Sequence, residues 1–377
     1  MGRLGVDFST SRELITLADS MSPALRFAAH APAEWRSWRR QFLTRLKQAL
    51  GPDLPKVAPE AREIEKADAG DHWRYHLVYR TTAQMWAPAY LLVPKSLPTG
   101  AKAPAVLAIH GHGNGGCDLV GLSPDGDDTP NHDYALQVVR RGMVAFVPEL
   151  RGFGQRAVDE DQLGCIIRER GDPEAVYFRR DMCNVHNLKA NLLGYTFMRL
   201  QLHDLSVALD VLQARPEVNP SRIGACGLST GGMMTLFLAA LDRRIKTATI
   251  SGTLTSYRSY AFDLETTCGS QLPHGLFRWG DLADVGCLLA PRPVCFECGA
   301  QDFGFLQAVA IQEFQRIKQC YTIAGVPEHA VLDPFPGGHE WHGAVGLPMM
   351  EACLHNDCAC HPQKRGKRAY LSNGTML

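Results

Sequence analysis

Gly227-Leu228-Ser229-Thr230-Gly231 fits the pattern G-x-S-x-G, and its surroundings suit a nucleophile. The apolar run Arg222 to Leu228 (RIGACGL) precedes it, and an apolar stretch from Gly232 to Ala240 (GMMTLFLAA) follows. Ser229 therefore falls at a turn from strand to helix. Such a turn lifts the hydroxyl above a sheet edge. The flanking glycines let neighbouring chain pass close by, and the helix points its first amides at the site. A plain strand-to-helix turn would look the same, so the partners must decide.

A serine hydroxyl is a weak nucleophile until a histidine takes its proton, and that histidine needs a carboxylate to fix its tautomer. Downstream, Asp302 lies in Cys298-Gly299-Ala300-Gln301-Asp302-Phe303-Gly304, just past the strand-like run at 293–297. Asp333 is the fallback acid, less well placed inside the next strand candidate. His339 follows that strand in Pro336-Gly337-Gly338-His339-Glu340-Trp341, and His342 competes from three residues on. Any one of these could be an ordinary loop residue. Their conjunction, in the order serine, acid, histidine and each at a strand end, points to acyl transfer by Ser229, Asp302 and His339. The oxyanion of such a reaction needs backbone donors. Thr230, next after the nucleophile, should give one amide, and His112 in the loop His110-Gly111-His112-Gly113-Asn114-Gly115-Gly116 the other. His110 is expected to pack and hydrogen-bond under that loop. The glycine between His110 and His112 speaks against a metal pair, so no metal or other cofactor is expected.

These residues need a scaffold, and the hydropathy pattern supplies one. Continuous apolar runs at Ala105–Ile109, Met143–Val147, Arg222–Leu228, Lys246–Ser251, Pro293–Glu297 and Ala330–Phe335 read as strands. Met198, Leu202, Leu205, Leu209 and Leu212 form one helical stripe ahead of the third. Unbroken apolar strands alternating with helices indicate a mostly parallel central sheet with helices on both faces. Before it, His72–Thr81 and Trp86–Pro94 suit an antiparallel hairpin. The first fifty residues read as helical, with Trp38, Phe42, Leu46 and Leu50 at four-residue spacing before Gly51. The expected organisation is a helical extension and polar connector over 1–69, a catalytic domain over 70–350 and a tail over 351–377. Tyr260, Phe277 and Trp279 could line a pocket or simply be core.

Composition narrows the partners. Lys plus Arg and Asp plus Glu both number 39, which gives no field for nucleic acid or an anionic membrane. The cluster Arg39, Arg40, Arg45 and Lys47 reads as a solvated helix face. The N-terminal MGRLGVDFST lacks the apolar stretch of a secretory signal, and no run approaches the length of a membrane span. Twelve cysteines are scattered rather than framed, and Cys226, Cys295 and Cys298 sit in apolar strand candidates, as small buried hydrophobes do. A reducing, cytoplasmic setting is the expectation. Cys353, His355, Cys358, Cys360 and His361 cluster near the C-terminus, without the second pair of a standard zinc module. Homo-oligomerisation is left open.

The ordered strings HGHG, RGFGQR, GLSTGG, ECGAQD and GGHEW, with LLAPRP before the acid-bearing strand, resemble the acetyl xylan esterase and cephalosporin C deacetylase branch of the α/β-hydrolases. They are also similar to bacterial esterases grouped with the dienelactone hydrolases. The resemblance covers about residues 70–345. It implies the α/β-hydrolase fold, Ser229 as nucleophile, Asp302 as acid, His339 as base and oxyanion amides at His112 and Thr230. It makes Arg151 a structural residue tying loops near the site. Two positions depart: Thr230 stands where the deacetylases carry glutamine, and Phe153 follows Arg151-Gly152 where they again carry glutamine. The dienelactone hydrolases proper use cysteine where this chain has Ser229. The expected activity is carboxylic ester hydrolysis, on short acyl groups and small-molecule or carbohydrate esters. The alternatives are a peptidase, thioesterase or lactonase with the same triad, or a silent binding protein.

Overall fold

The computed structural model describes residues 8–126, 129–157, 178–264 and 267–355. Nine strands form one sheet: β1 (Arg62–Asp68), β2 (His72–Arg80), β3 (Trp86–Pro94), β4 (Ala103–Ile109), β5 (Val144–Pro148), β6 (Val218–Leu228), β7 (Ile245–Ser251), β8 (Val294–Gly299) and β9 (Ala330–Phe335). Their order is β1-β2-β3-β5-β4-β6-β7-β8-β9. Pairing is antiparallel from β1 to β5 and parallel from β5 through β9. The hairpin of β2 and β3 keeps unbroken register from His72 opposite Pro94 to Arg80 opposite Trp86.

The helices are α1 (Thr10–Ser20), α2 (Pro32–Leu50), α3 (Tyr134–Val139), α4 (Phe178–Leu192), α5 (Phe197–Ala214), α6 (Thr230–Leu241), α7 (Leu282–Cys287), α8 (Gln307–Ile323) and α9 (Gly346–His355). Alternation along the strands divides the core. Ala105, Leu107 and Ile109 of β4 join the larger cluster with α2, α5, α6, α7 and α8, whereas Val106 and Ala108 join a second with Tyr134 and Val138 of α3 and Leu347 and Met350 of α9. Every residue of β4, β5 and β8 is buried. That is why these strands read as unbroken apolar runs rather than as alternation.

Two expectations change. The connector holds a strand: β1, with the sequence REIEKAD, is charged along its length and exposed at all but one position. An edge strand can tolerate charge on both faces, and it then shows no hydropathy signal. The basic face of α2 is also not wholly solvated. Arg39 donates to the carbonyl of Ala290, and Arg45 lies 4.2 Å over the ring of Trp279. On the other face of α2, Phe42, Leu46 and Leu50 are completely buried, each worth about 1.5–3 kcal/mol. Trp38 stacks on Phe42 with ring centroids 5.2 Å apart. The helix is part of the core. At the other end, α9 runs past 350 and packs Leu354 into the second cluster. No helix among the described residues is long and apolar enough to cross a membrane.

Candidate active site

Ser229 is the residue between β6 and α6, with φ 58° and ψ −123°. A non-glycine residue there costs about 1–3 kcal/mol and persists only when its surroundings hold it. Its amide donates to the carbonyl of Ser251 at 3.0 Å, and Thr253 Oγ1 donates to its carbonyl at 2.7 Å. The two glycines of the pentapeptide are there for close approach. A Cβ on Gly231 would overlap the carbonyl oxygen of Ile109, and one on Gly227 would overlap Gly231. From the other side, the position of a Cβ on Gly111 lies 3.3 Å from Ser229 Cβ, so the loop after β4 is pressed against the nucleophile.

Asp302 and His339 come together at the ends of β8 and β9. Asp302 Oδ2 is 2.7 Å from His339 Nδ1, with the carboxylate buried and the imidazole about a quarter exposed. Asp302 Oδ1 accepts from the amides of Gly304 and Phe305, each at 2.9 Å. The ring of Phe305 stacks on His339 at 5.5 Å, and Tyr260 stacks behind Phe305. His339 lies against Gly252, where an added Cβ would be 3.1 Å from its Cε1. Gly252 joins Ser251 and Thr253, the two residues that hold Ser229, so the imidazole rests on the same segment as the nucleophile.

The competing pair also forms. His342 Nδ1 is 2.7 Å from Asp333 Oδ2, and its ring stacks on Phe335 at 4.5 Å. Its neighbours differ, however. Gly343 donates its amide to the buried Glu297 at 3.0 Å, and burial pushes the Glu297 carboxyl up to about 7. Glu297 also bonds Ser251, so this pair too borders the segment holding Ser229, but His339 is the imidazole that lies against Gly252.

The loop after β4 is built over charged and polar supports. His110 is 1% exposed, with Nε2 at 3.0 Å from both the Leu150 amide and Glu149 Oε1. Asp118 accepts from the amide of Asn114 at 2.8 Å. Phe153 is buried, with its ring edge-on to both His110 and His112 at 5.4 Å. Arg151 makes a two-pronged contact with Asp204 of α5 at 2.8 and 2.7 Å, and Arg156 adds a third at 2.6 Å. Burial raises the Asp204 carboxyl, but the two guanidiniums outweigh it and hold the group low. Arg151 thus ties the loop after β5 to α5.

Thr230 is the first residue of α6, so its amide has no carbonyl four residues back within the helix. Its hydroxyl contacts residues that sequence reasoning did not assign to the site. Gln271 Nε2 donates to Thr230 Oγ1 at 2.5 Å, and Tyr260 Oη donates to Gln271 Oε1 at 2.6 Å. His112 Nδ1 lies 2.8 Å from the same Thr230 oxygen, while its Nε2 faces Cys268 and Cys183. Tyr260 sits in a π-helical turn from Arg258 to Asp263, a local irregularity that often marks functional sites. Nothing in the sequence spacing signals Gln271 or the two cysteines. Phe277 and Trp279 pack instead against the larger core. Cys358, Cys360 and His361 lie outside the described residues.

Residues 53–265 match the acetyl xylan esterase (AXE1) family. The Bacillus subtilis (strain 168) protein YtaP, provisionally named a hydrolase, is 32% identical over 218 residues. That match covers 56% of this chain and 62% of YtaP, so less than two thirds of the relative is spanned. Among solved structures, a Bacteroides fragilis NCTC 9343 protein provisionally named an acetyl xylan esterase superposes with TM-score 0.71 at 16% identity, over 92% of this chain and 85% of that one. A glucuronoyl esterase from Solibacter usitatus gives TM-score 0.62 at 13% identity, over 88% and 96%. Acetyl xylan esterase 1 from Thermoanaerobacterium sp. JW/SL YS485 gives 0.54 at 16% identity, over 93% and 100%. At such identities the likeness is one of fold, a mostly parallel central sheet covered by helices. With the α/β-hydrolase fold and a match over more than half its length, the chain belongs to the acetyl xylan esterase (AXE1) family.

Proposed function

We propose that the chain is a serine carboxylic ester hydrolase with Ser229 as nucleophile, His339 as general base and Asp302 as the carboxylate that orients it. The observation that carries this is the 2.7 Å contact of Asp302 with His339, on an imidazole resting beside the segment that grips the strained Ser229. Asp302 holds the Nδ1–H tautomer, which leaves Nε2 free to take the serine proton. Ser229 Oγ then bonds to the ester carbon, and the carbonyl electrons move to oxygen. The amides of Thr230 and His112 receive that oxyanion. The intermediate collapses with loss of the alcohol, which takes the proton back from His339. Water repeats the sequence on the acyl-serine, releasing the acid and restoring Ser229.

Family membership favours small acyl groups, acetyl above all, on small-molecule or carbohydrate alcohols, with Arg151 and His110 as supports of the site and no role for nucleic acid or membrane. A cytoplasmic setting suits the nine free cysteines of the described residues. The test is hydrolysis of p-nitrophenyl acetate and of acetylated xylo-oligosaccharides by the parent and Ser229→Ala. We expect the variant to lose at least about 10⁴-fold in kcat/KM, as removal of a triad nucleophile does. Equal activity in parent and variant would rule out Ser229.

A further inference from the structure

The cluster of His112 Nε2, Cys183 Sγ and Cys268 Sγ lies outside the ester chemistry, and its three atoms are all within 4.8 Å of one another. Cys268 Sγ is 3.6 Å and Cys183 Sγ 3.9 Å from His112 Nε2. Around a tetrahedral zinc, Zn–S near 2.3 Å and Zn–N near 2.05 Å require an N···S separation of about 3.6 Å. We propose that this chain binds one thiophilic divalent cation, zinc above all, through His112, Cys183 and Cys268, with the fourth position left to water or an exogenous ligand.

The surroundings are those of a built site. The three ligands come from three separate elements: the loop after β4, helix α4 and the segment before Gln271. Metal-bound histidines commonly have the second ring nitrogen hydrogen-bonded, which sets the ring's orientation. Here Thr230 Oγ1 stands 2.8 Å from His112 Nδ1, and Gln271 and Tyr260 hold that hydroxyl in turn. The Cys268 amide donates to Tyr260 Oη at 3.1 Å. Asn184, adjacent to one thiol, accepts from the amide of Gly269, adjacent to the other, at 2.6 Å. Both thiol-bearing segments are thus fastened to each other before any ion arrives. Cys183 is buried and Cys268 half-buried, while His112 is exposed and offers an entry path. Binding then releases thiol protons to solvent and leaves two thiolates neutralising the divalent charge. The ion would pin the loop that carries the His112 amide beside Ser229.

The test uses the full chain, purified under reducing conditions, stripped with a chelator and titrated anaerobically with Co²⁺. One equivalent should give the thiolate charge-transfer and tetrahedral d–d absorption, and Zn²⁺ should displace it. Cys268→Ser and Cys183→Ser should each abolish the band, whereas Cys358→Ser with Cys360→Ser should leave it. Thr230→Val, which keeps the peptide amide, should weaken Zn²⁺ binding about 10–100-fold. X-ray absorption of the zinc-loaded parent needs no variant to fold, and should return two sulfurs and one imidazole nitrogen. Absence of stoichiometric binding, a sulfur-free or four-sulfur shell, or a band lost only with the C-terminal cysteines would each overturn the proposal.

Discussion

Replacing Asp302 by Asn changes one atom and should nearly silence the enzyme, for a reason specific to this carboxylate. Its Oδ1 already accepts two amides, from Gly304 and Phe305 at 2.9 Å. In Asp302→Asn the amide oxygen must stay on those donors, because an NH₂ there would face two N–H groups. The NH₂ is therefore turned toward His339 Nδ1, which must become an acceptor. The ring proton moves to Nε2, where it faces Ser229 and blocks proton abstraction. Fixing the wrong tautomer in this way lowers kcat by about 10⁴, or about 5.4 kcal/mol of transition-state stabilisation. Folding should hardly change, since both amides keep their acceptor. The assay is p-nitrophenyl acetate hydrolysis by Asp302→Asn and Asp333→Asn side by side, with urea unfolding as control. A loss under tenfold in Asp302→Asn, with collapse in Asp333→Asn, would refute the reasoning and transfer the role to the Asp333–His342 pair.

Two further outcomes follow from the packing around the site. Glu297 is wholly buried with its carboxyl pushed from 4.5 up to about 7. Between those values the folded chain holds a proton the unfolded chain has released, so stability falls as pH rises through that window and levels off above it, by about 3 kcal/mol in all. Glu297→Gln should remove most of this slope, read as the difference in urea unfolding free energy between pH 5 and pH 8; an unchanged difference would contradict the assignment. Gly231→Ala would drive a methyl into the Ile109 carbonyl, at a cost of about 1–3 kcal/mol or more and with the turn at Ser229 displaced. Its thermal midpoint and its labelling by a fluorophosphonate should both drop, and retention of both would show that the turn can relax.

Most of the scaffold could be read from the chain because of how parallel sheets are buried. The strands β4, β5 and β8 are buried along their whole length, so solvent leaves no alternation and the apolar runs stand out. The same physics hid β1, whose edge position allows a charged sequence. The candidate triad was legible because each member stands at a strand end in a fixed order. Sequence favours His339, directly after the two glycines that follow β9, over His342, yet the structure gives each an aspartate partner at 2.7 Å. What distinguishes them is Gly252, a neighbour of neither in the chain, against which only His339 rests. Nor could spacing foretell that His112, Cys183 and Cys268 converge. Their separations of 71 and 156 residues obey no local period, and the fold alone brings them together.

Thr230 shows how a departure from a family pattern can carry physical meaning. The deacetylases this chain resembles have glutamine after the nucleophile. Here the backbone of that position serves the same turn, but the side chain is a short hydroxyl. It accepts from Gln271, which reaches in from 41 residues away, and leaves room for the His112 ring at 2.8 Å. A glutamine at 230 would fill the space now shared by Gln271 and His112, and with it the orientation that turns His112 Nε2 toward the two thiols. The threonine at 230, the amide of Gln271 and the cysteines at 183 and 268 are therefore one arrangement rather than four separate differences. It joins the helix that follows Ser229 to the loop that faces it, so an ion held by the thiol cluster would act on both segments proposed to supply the oxyanion amides.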